Sequence, residues 1–437
     1  MDRRIRNKGK KRLLFAFKSV PYPLRADGVS VRYLPIIEYL ARRHEIDLIV
    51  ITGSANALRN VEGLRELCRK IHVFHDPRRS AHSILSKSRT YMNFLLPWTP
   101  PLSMVAHQGS NVTRQIVEAL GRDRYDAAVW VGGYLLPSMM AALPSLSVGK
   151  LLVDFIDSPY LWISRAKEPT FRVAPLERYE RWKSCRWEEN VSRGVDATIY
   201  ISRVDADAVP HDRKSGGKRH VIPNGINVPS HPNPERVSLP SPNIGFLGNM
   251  WYPPNVEAVE WLYREVFVPL REIHPDLNLV IIGRGPSPPI ESLGKMPGVV
   301  ITGTLEDIWP HINAVDVFLF PLLRGAGLKN KILETMYAGR PVVTTEIGNE
   351  GIDATDGQAL VLCRTPDDFR REAMRLLGSP EERMRIGAAA HAFVRKKFSW
   401  DAILRDYENL LLGDCTAAGG SEYLDGGNPS ARVGGSR

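Results

Sequence analysis

Within GAGLKNKILETMYAGRPVVTT (325–345), two glycines, two lysines and one carboxylate fall inside ten residues: Gly325, Gly327, Lys329, Lys331 and Glu334. These types suit an anionic, hydroxylated ligand. Glycine lets the backbone approach a ligand closely, a lysine ammonium supplies a full positive charge, and an ionised glutamate is an acceptor-only group matched to the paired hydroxyls of a ribose. A second local account also fits. Lys331 and Glu334 at i,i+3 can form an ion pair on an exposed helix face, with the glycines serving only to turn the chain.

The flanking residues indicate how the groups are held. DVFLFP (316–321) is a short apolar run closed by proline and predicts a buried parallel strand. Ile332, Leu333 and Met336 recur at helical spacing, Gly339 supplies a C-terminal stop, and Pro341 opens VVTT (342–345). A strand, glycine-rich loop, helix and strand in that order place the loop at the carboxyl end of a sheet. There the first helical N–H groups are unpaired and the helix dipole is positive, which suits a phosphate.

The same alternation runs through the chain. RLLFAF (12–17), EIDLIVIT (45–52), KIHVFH (70–75), YDAAVWVGG (125–133), KLLVDFID (150–157) and DATIYIS (196–202) read as strands, with amphipathic stretches such as VSVRYLPIIEYLARRH (29–44) between most of them. After a polar linker at 211–220 it restarts with NIGFLG (243–248), NLVIIGRG (278–285), GVVITG (298–303), 316–321 and PVVTT (341–345). The expected architecture is α/β: two Rossmann-like, doubly wound parallel-sheet domains, 12–210 and 221–397, facing across a cleft. Residues 1–11 form a basic, flexible head. Helices are expected over 366–378, 380–397 and 400–412, and 414–437, rich in Gly, Ser and Ala, reads as a disordered tail.

Composition narrows the classes. The 437 residues, 43% hydrophobic, support full cores. The cysteines at 68, 185, 363 and 415 form no CxxC pair, so neither a zinc site nor a disulfide framework is expected and a reducing cytoplasm is the default. Seven of the first twelve residues are Arg or Lys, unlike a signal peptide, and no stretch approaches a membrane span of ~20 apolar residues. The net charge of +10 invites an anionic partner. No zinc-finger, RNP-like or helix-turn-helix pattern points to nucleic acid. Instead, Arg78, Arg79, Lys87 and Arg89 run into YMNFLLPWTPPLSM (91–104), where Phe94, Leu96 and Trp98 stand ready to enter an anionic membrane surface. The other account of that stretch is a packed loop.

HVIPNGINV (220–228), GFLGNMWYPPNVEAVEWL (245–262), LNLVIIGRGP (277–286), VVITGTLEDIWPHINAVDVFLFPL (299–322) and the 325–345 stretch follow the order and spacing of family 4 of the retaining glycosyltransferases, which have the GT-B fold. The resemblance covers nearly all of 12–412. GNMWYPPNVEAVEWL and GLKNKILETMYAGRPVV are similar to the bacterial sugar transferases of exopolysaccharide and exosortase loci. The resemblance implies a metal-independent hexosyltransferase with no cofactor, the nucleotide-sugar being a substrate and a sugar or lipid-linked glycan the acceptor. It would act in the cytoplasm, peripherally on the inner membrane face. The N-terminal domain becomes the acceptor side, the C-terminal domain the nucleotide-sugar side, and 398–413 a helix packing back on the former.

It also implies roles. Glu334 would accept from the ribose, and Lys331 with the backbone at Gly327 and Leu328 would hold the diphosphate. Gly303 and Thr304 would line the nucleobase pocket, and Gly28 would approach the phosphates from the N-terminal domain. Gly248 and Asn249 follow the first strand of the C-terminal domain, where many members carry an Arg and a Lys; here Asn249 and Asn255 stand instead. The family's paired glutamates lie eight residues apart, and eight before Glu334 this chain has Ala326. The position of a frequent histidine reads Ile156, leaving Asp157 and Ser158 to meet the acceptor or the reacting sugar, with Asp157 and Lys331 as the catalytic candidates. A nucleotide-sugar 2-epimerase of the same fold and a non-catalytic sugar-nucleotide-binding homologue remain alternatives.

Other signals are weaker. Asp205 and Asp207 in DAD (205–207) lie on a helix, where residues two apart diverge, which argues against a metal site. In GRG (283–285), prolines follow where a dinucleotide-binding helix would begin. Trp182 and Trp187 are expected to pack on the N-terminal domain.

Overall fold

A computed structural model describes residues 9–24, 27–52, 60–75, 94–97, 99–102, 110–133, 136–165, 173–210, 218–226, 236–325 and 327–413. Head residues 1–8, the tail 414–437, Ala326, and most of the basic and apolar segment 78–104, Trp98 included, lie outside the described residues.

In the first half, β1 (Arg12–Phe17), β2 (Glu45–Thr52), β3 (Lys70–His75), β4 (Ala127–Val131), β5 (Leu151–Ile156), β6 (Ala197–Tyr200) and β7 (Lys218–Val221) form a seven-stranded sheet in the order β3-β2-β1-β4-β5-β6-β7. All its pairings are parallel. Strands covered on both faces need apolar residues at every position, and β1 supplies them. Leu13, Phe15 and Phe17 meet Tyr33, Ile36 and Ile37 of α1 (Gly28–Ala41). Leu14 and Ala16 meet Val112, Ile116 and Leu120 of α2 (Ser110–Leu120) on the opposite face.

Strand β7 corrects the expected linker. Lys218, Arg219 and His220 register on Ala197, Thr198 and Ile199, so 211–220 ends inside the first sheet. Polar composition hid it, because an edge strand pairs on one side only and tolerates charge.

In the second half, β8 (Asn243–Leu247), β9 (Asn278–Ile282), β10 (Val299–Ile301), β11 (Val317–Phe320), β12 (Val342–Thr344) and β13 (Val361–Leu362) form a six-stranded parallel sheet in the order β10-β9-β8-β11-β12-β13. Strand order reverses between β1 and β4 in one sheet and between β8 and β11 in the other. Loops leaving those strands are where an open α/β sheet holds ligands.

The domains are also joined behind the sheets. The terminal helix Trp400–Leu412 sends Ile403, Leu404, Tyr407 and Leu411 into the core of the first domain. The chain therefore crosses twice, and the crossings touch. Ile226 N donates to Phe398 O at 2.9 Å, and a Cβ on Gly225 would lie 2.3 Å from the Trp400 ring. Beside them, Arg32 Nη2 pairs with Asp154 Oδ2 at 2.8 Å, both side chains fully buried. Tyr33 donates to the same oxygen at 2.6 Å and meets the Tyr407 hydroxyl at 3.1 Å. Arg32 Nη1 reaches Ile222 O at 3.0 Å and Asn224 Oδ1 at 2.9 Å. Full hydrogen bonding is what makes such a buried charge tolerable.

Candidate active site

The loops at the two reversal points face each other across a cleft of about 610 Å³. Four of the helices after α2 are α3 (Pro159–Ser164), α4 (Ala174–Arg193), α5 (Arg203–Asp207) and α6 (Pro253–Trp261); Gly28, first residue of α1, enters from the N-terminal domain, and Asn330, first residue of α7 (Asn330–Tyr337), from the C-terminal domain. Two helix N-termini thus border one cavity, but that of α1 is capped by the Asp27 carboxylate, which accepts from Ser30 N at 2.8 Å and itself lines the cleft, so the open positive end is that of α7. A Cβ on Gly28 would meet only open space, and the residue is exposed where it lines the cleft. The α7 N-terminus has no side-chain cap.

Lys331 and Glu334 both line this cleft, with Gly248, Asn249, Thr304 and Leu328. Lys331 Nζ donates to Asn255 Oδ1 and stands 5.0 Å from the centre of the Phe246 ring. Burial, then Lys329, pulls its pKa down to about 7. Asn255 in turn donates to Asn249 O at 3.0 Å. Asn249 and Asn255 therefore act together, holding the lysine that reaches the cavity wall from α7. Sequence reading missed Arg284, whose Nε donates to Asn249 Oδ1 at 3.1 Å within the same wall. Two other cations of this wall are engaged within the protein: Arg324 pairs with Glu257 at 2.6 Å, and Lys329 turns back onto Gly327 O at 2.5 Å.

Gly303 and Gly327 do not line the cleft. Gly303, at φ +70°, turns the chain after β10 so that Thr304 enters. Gly327, at φ +72°, lies against Asp157 of the other domain, where a Cβ would come within 1.9 Å of Oδ1.

Asp157 and Ser158 line an adjoining cavity of about 450 Å³, whose walls include the half-exposed ring of Trp162 and which shares Gly28, Leu328 and Asn330 with the first. Asp157 follows Ile156, a β-branched residue at φ +66°. That conformation is strained and persists only where its surroundings fix it. Here Ile156 N donates to Asp154 Oδ1 at 2.9 Å, so the buried Arg32–Asp154 pair sets the turn that aims Asp157. Burial, then nearby Asp205, pushes the Asp157 carboxyl well above the usual carboxylate range. Ser158 is a correction. It is fully buried, caps α3 by accepting from Leu161 N at 3.2 Å, and donates to Glu188 at 3.0 Å, so its hydroxyl is committed to structure.

Other expectations resolve similarly. Asp205 is buried and accepts from Ser158 N at 3.0 Å, while Asp207 pairs with Arg203 on the surface. Among the described residues no group of three His, Cys, Asp or Glu could hold a metal ion. The glycines of GRG serve close packing: a Cβ on Gly283 would lie 1.7 Å from Gly248 O, and Gly285 abuts Trp251. Trp187 packs edge-on to Phe155 as expected, but Trp182 is 44% exposed. Phe94 is buried, its carbonyl receiving Lys183 Nζ at 2.6 Å, so it cannot enter a membrane; Leu95 and Leu96 beside it are exposed. Among the described residues no helix is long and apolar enough to cross one.

Comparison with known proteins bears on the family and the fold. Residues 241–379 match the family described as Glycosyl transferases group 1. An uncharacterized protein of the cps region of Klebsiella pneumoniae is 24% identical over 220 residues, 48% of this chain and 55% of that one. A phosphatidyl-myo-inositol mannosyltransferase of Propionibacterium freudenreichii is 32% identical over 180 residues, 39% of this chain and 43% of that one. The chain spans about half the length of the curated relatives it matches. Across 92% of this chain and 100% of the other, the fold superposes on Anabaena Alr3699/HepE, solved with UDP and glucose, with a TM-score of 0.61 at 15% identity. The fold is GT-B, and residues 241–379, which carry Lys331 and Glu334, are similar to the group 1 glycosyl transferases.

Proposed function

We propose that this protein is a retaining, metal-independent glycosyltransferase that moves a sugar from a nucleotide-sugar donor to an acceptor hydroxyl. The observation that carries the reading is the uncapped α7 N-terminus at Asn330, opening on an interdomain cleft that also holds Lys331, Glu334 and, from the opposite domain, Gly28. The donor lies there. Glu334 accepts from the ribose hydroxyls, while Lys331 and the α7 N–H groups meet the charge that grows on the diphosphate as it departs. The acceptor occupies the cavity beside Trp162, and Asp157 faces the place where the two must meet. The glycosidic C–O bond to phosphate breaks as the acceptor oxygen bonds to the same face of the anomeric carbon. The acceptor proton passes to the leaving phosphate.

HepE, described with UDP and glucose, favours a nucleotide-sugar donor, and the cps-region relative favours a role in bacterial surface polysaccharide. We place the reaction in the cytoplasm, at the inner membrane face when the acceptor is a lipid-linked glycan. The test is incubation with UDP-, GDP- and ADP-sugars, with and without chelator. Nucleoside diphosphate release that survives chelation, with retained anomeric configuration in the product, is the expected result. Loss of release rescued by Mg²⁺ would end the metal-independent scheme. An isomerised donor would indicate a 2-epimerase, and binding without turnover a non-catalytic homologue.

A further inference from the structure

Arg165 closes α3 on the acceptor side, but its guanidinium reaches into the other domain. Nη1 donates to Glu350 Oε2 at 2.6 Å and Nη2 to Glu350 Oε1 at 3.0 Å, a two-pronged pairing. Nη1 also donates to Gly325 O at 2.9 Å. Both side chains are largely covered, with 30% and 22% exposure. Planar, bidentate pairing of this kind fixes orientation as well as proximity.

The segment so held is the glycine-rich loop that leads into α7. Gly325 sits at φ +134° and Gly327 at φ +72°. Glycines in such conformations lose much freedom when ordered, so a loop built on them stays in one arrangement only where contacts hold it. Two of its carbonyls are held, Gly327 O by Lys329 from within and Gly325 O by Arg165 from across the domain boundary. Next to Glu350, a Cβ on Gly351 would lie 2.8 Å from Ser202 Cβ of the N-terminal domain, so the backbones meet closely there too.

We propose that Arg165 is a positioning residue: paired with Glu350, it latches the acceptor-side domain onto the 325–329 loop and holds that loop in the arrangement that receives the diphosphate. The donor site is then completed by a residue of the opposite domain, and α3, which also carries Trp162 of the acceptor cavity, transmits occupancy of one cavity to the other. By linkage the effect is reciprocal. This inference rests on reading the larger cleft as the donor site.

Full-length wild type, Arg165→Ala, Arg165→Lys, Glu350→Gln and the double variant Arg165→Ala/Glu350→Gln are compared in two ways. The first is amide hydrogen exchange across 322–333 without nucleotide. The second is calorimetric binding of UDP, GDP and ADP. Arg165→Ala is expected to speed loop exchange about tenfold and to weaken nucleotide binding by a similar factor, as loss of a charge-assisted contact implies. Arg165→Lys should recover part of both effects. The double variant should be no worse than Arg165→Ala alone, since the partners act as one unit. Unchanged loop exchange in Arg165→Ala, or additive effects in the double variant, would overturn the latch. If wild type binds none of the three nucleotides, the donor reading falls, while the exchange comparison still decides whether Arg165 orders the loop.

Discussion

The carboxylate of Asp157 rests directly on the α-carbon of Gly327, one residue from each domain, so closely that a Cβ on the glycine would lie 1.9 Å from Oδ1. No side chain fits between them, and the backbone at Gly327 lies in the left-handed region as well.

Gly327→Ala therefore meets two obstacles at once. The left-handed backbone alone costs a non-glycine residue about 1–3 kcal/mol, and the added clash is relieved only by parting the domains or displacing Asp157. Turnover with a nucleotide-sugar is expected to collapse and the thermal midpoint to drop. A variant with wild-type midpoint and turnover would show that the domains need not meet at this point.

Lys331 gives the donor site a pH dependence of definite sign. With its pKa brought down to about 7 in the free protein, the lysine is largely neutral above that value, and an arriving diphosphate must restore the proton. Affinity for a nucleotide-sugar should be flat below about pH 7 and fall by up to about tenfold per unit above it. Calorimetry at pH 8 in buffers of differing ionisation enthalpy should register proton uptake. In Lys331→Met both the uptake and the pH slope should vanish. Stability runs the other way: a depressed lysine pKa means the unfolded chain holds more protons between about pH 7 and 10, so the free protein gains stability as pH rises through that window.

Glu334→Gln tests the ribose assignment. An ionised acceptor contributes about 1.5–3 kcal/mol to a hydrogen bond, so nucleotide affinity should fall about tenfold or more with little change in melting. Deoxyribonucleotides should discriminate: wild type should bind them more weakly than ribonucleotides, and the variant should treat both alike. Equal ribonucleotide affinity in wild type and variant would remove Glu334 from the ribose.

Arg32→Met strikes the buried network rather than the cleft. It strands Asp154 without its cation, a change that costs about 3–5 kcal/mol. Because Asp154 also holds Ile156 N, the turn before Asp157 should loosen. The paired replacement Arg32→Met/Asp154→Leu should recover stability but not turnover, if the Asp154 bond to Ile156 is what aims Asp157. Recovery of both in the double variant would show that the network serves stability alone.

Membrane attachment is tested apart from catalysis. Vesicles rich in anionic lipid should bind the protein at low salt and release it as salt rises, since each basic residue near the surface adds about 1 kcal/mol that screening removes. Any salt-resistant fraction should depend on Leu95 and Leu96, and Leu95→Ser/Leu96→Ser should abolish it. Absence of co-sedimentation at low salt would leave a transferase that works in solution.

The strands were readable wherever covering on both faces forced a continuous apolar run, as in RLLFAF and DVFLFP. The terminal helices were readable because Thr365, Ser379 and Pro380 mark their starts. Lys331 and Glu334 were legible for a different reason: their chemistry and their helix both lie in one short stretch. What stayed hidden depends on residues distant in sequence. Arg32 reads as one more polar position on an amphipathic helix, and only Asp154, Ile222 and Asn224 together make it a buried cation. Ser158 reads as a reactive hydroxyl until Glu188, thirty residues on, claims it. Arg165 and Glu350 are separated by 185 positions and each alone resembles a surface charge.

The paired crossings at Ile226 and Phe398 have a mechanical consequence. A single tether would let the second domain swivel freely, whereas two tethers hydrogen-bonded side by side define one axis, much as two knuckles define a door hinge. If the domains move, rotation about that axis is the motion the tethers leave free, and it would carry Arg165 toward or away from Glu350. Cutting the chain after Lys397 would remove the second knuckle together with Tyr407, leaving the register of the two halves to the contacts across the cleft alone, Arg165 with Glu350 and Asp157 with Gly327.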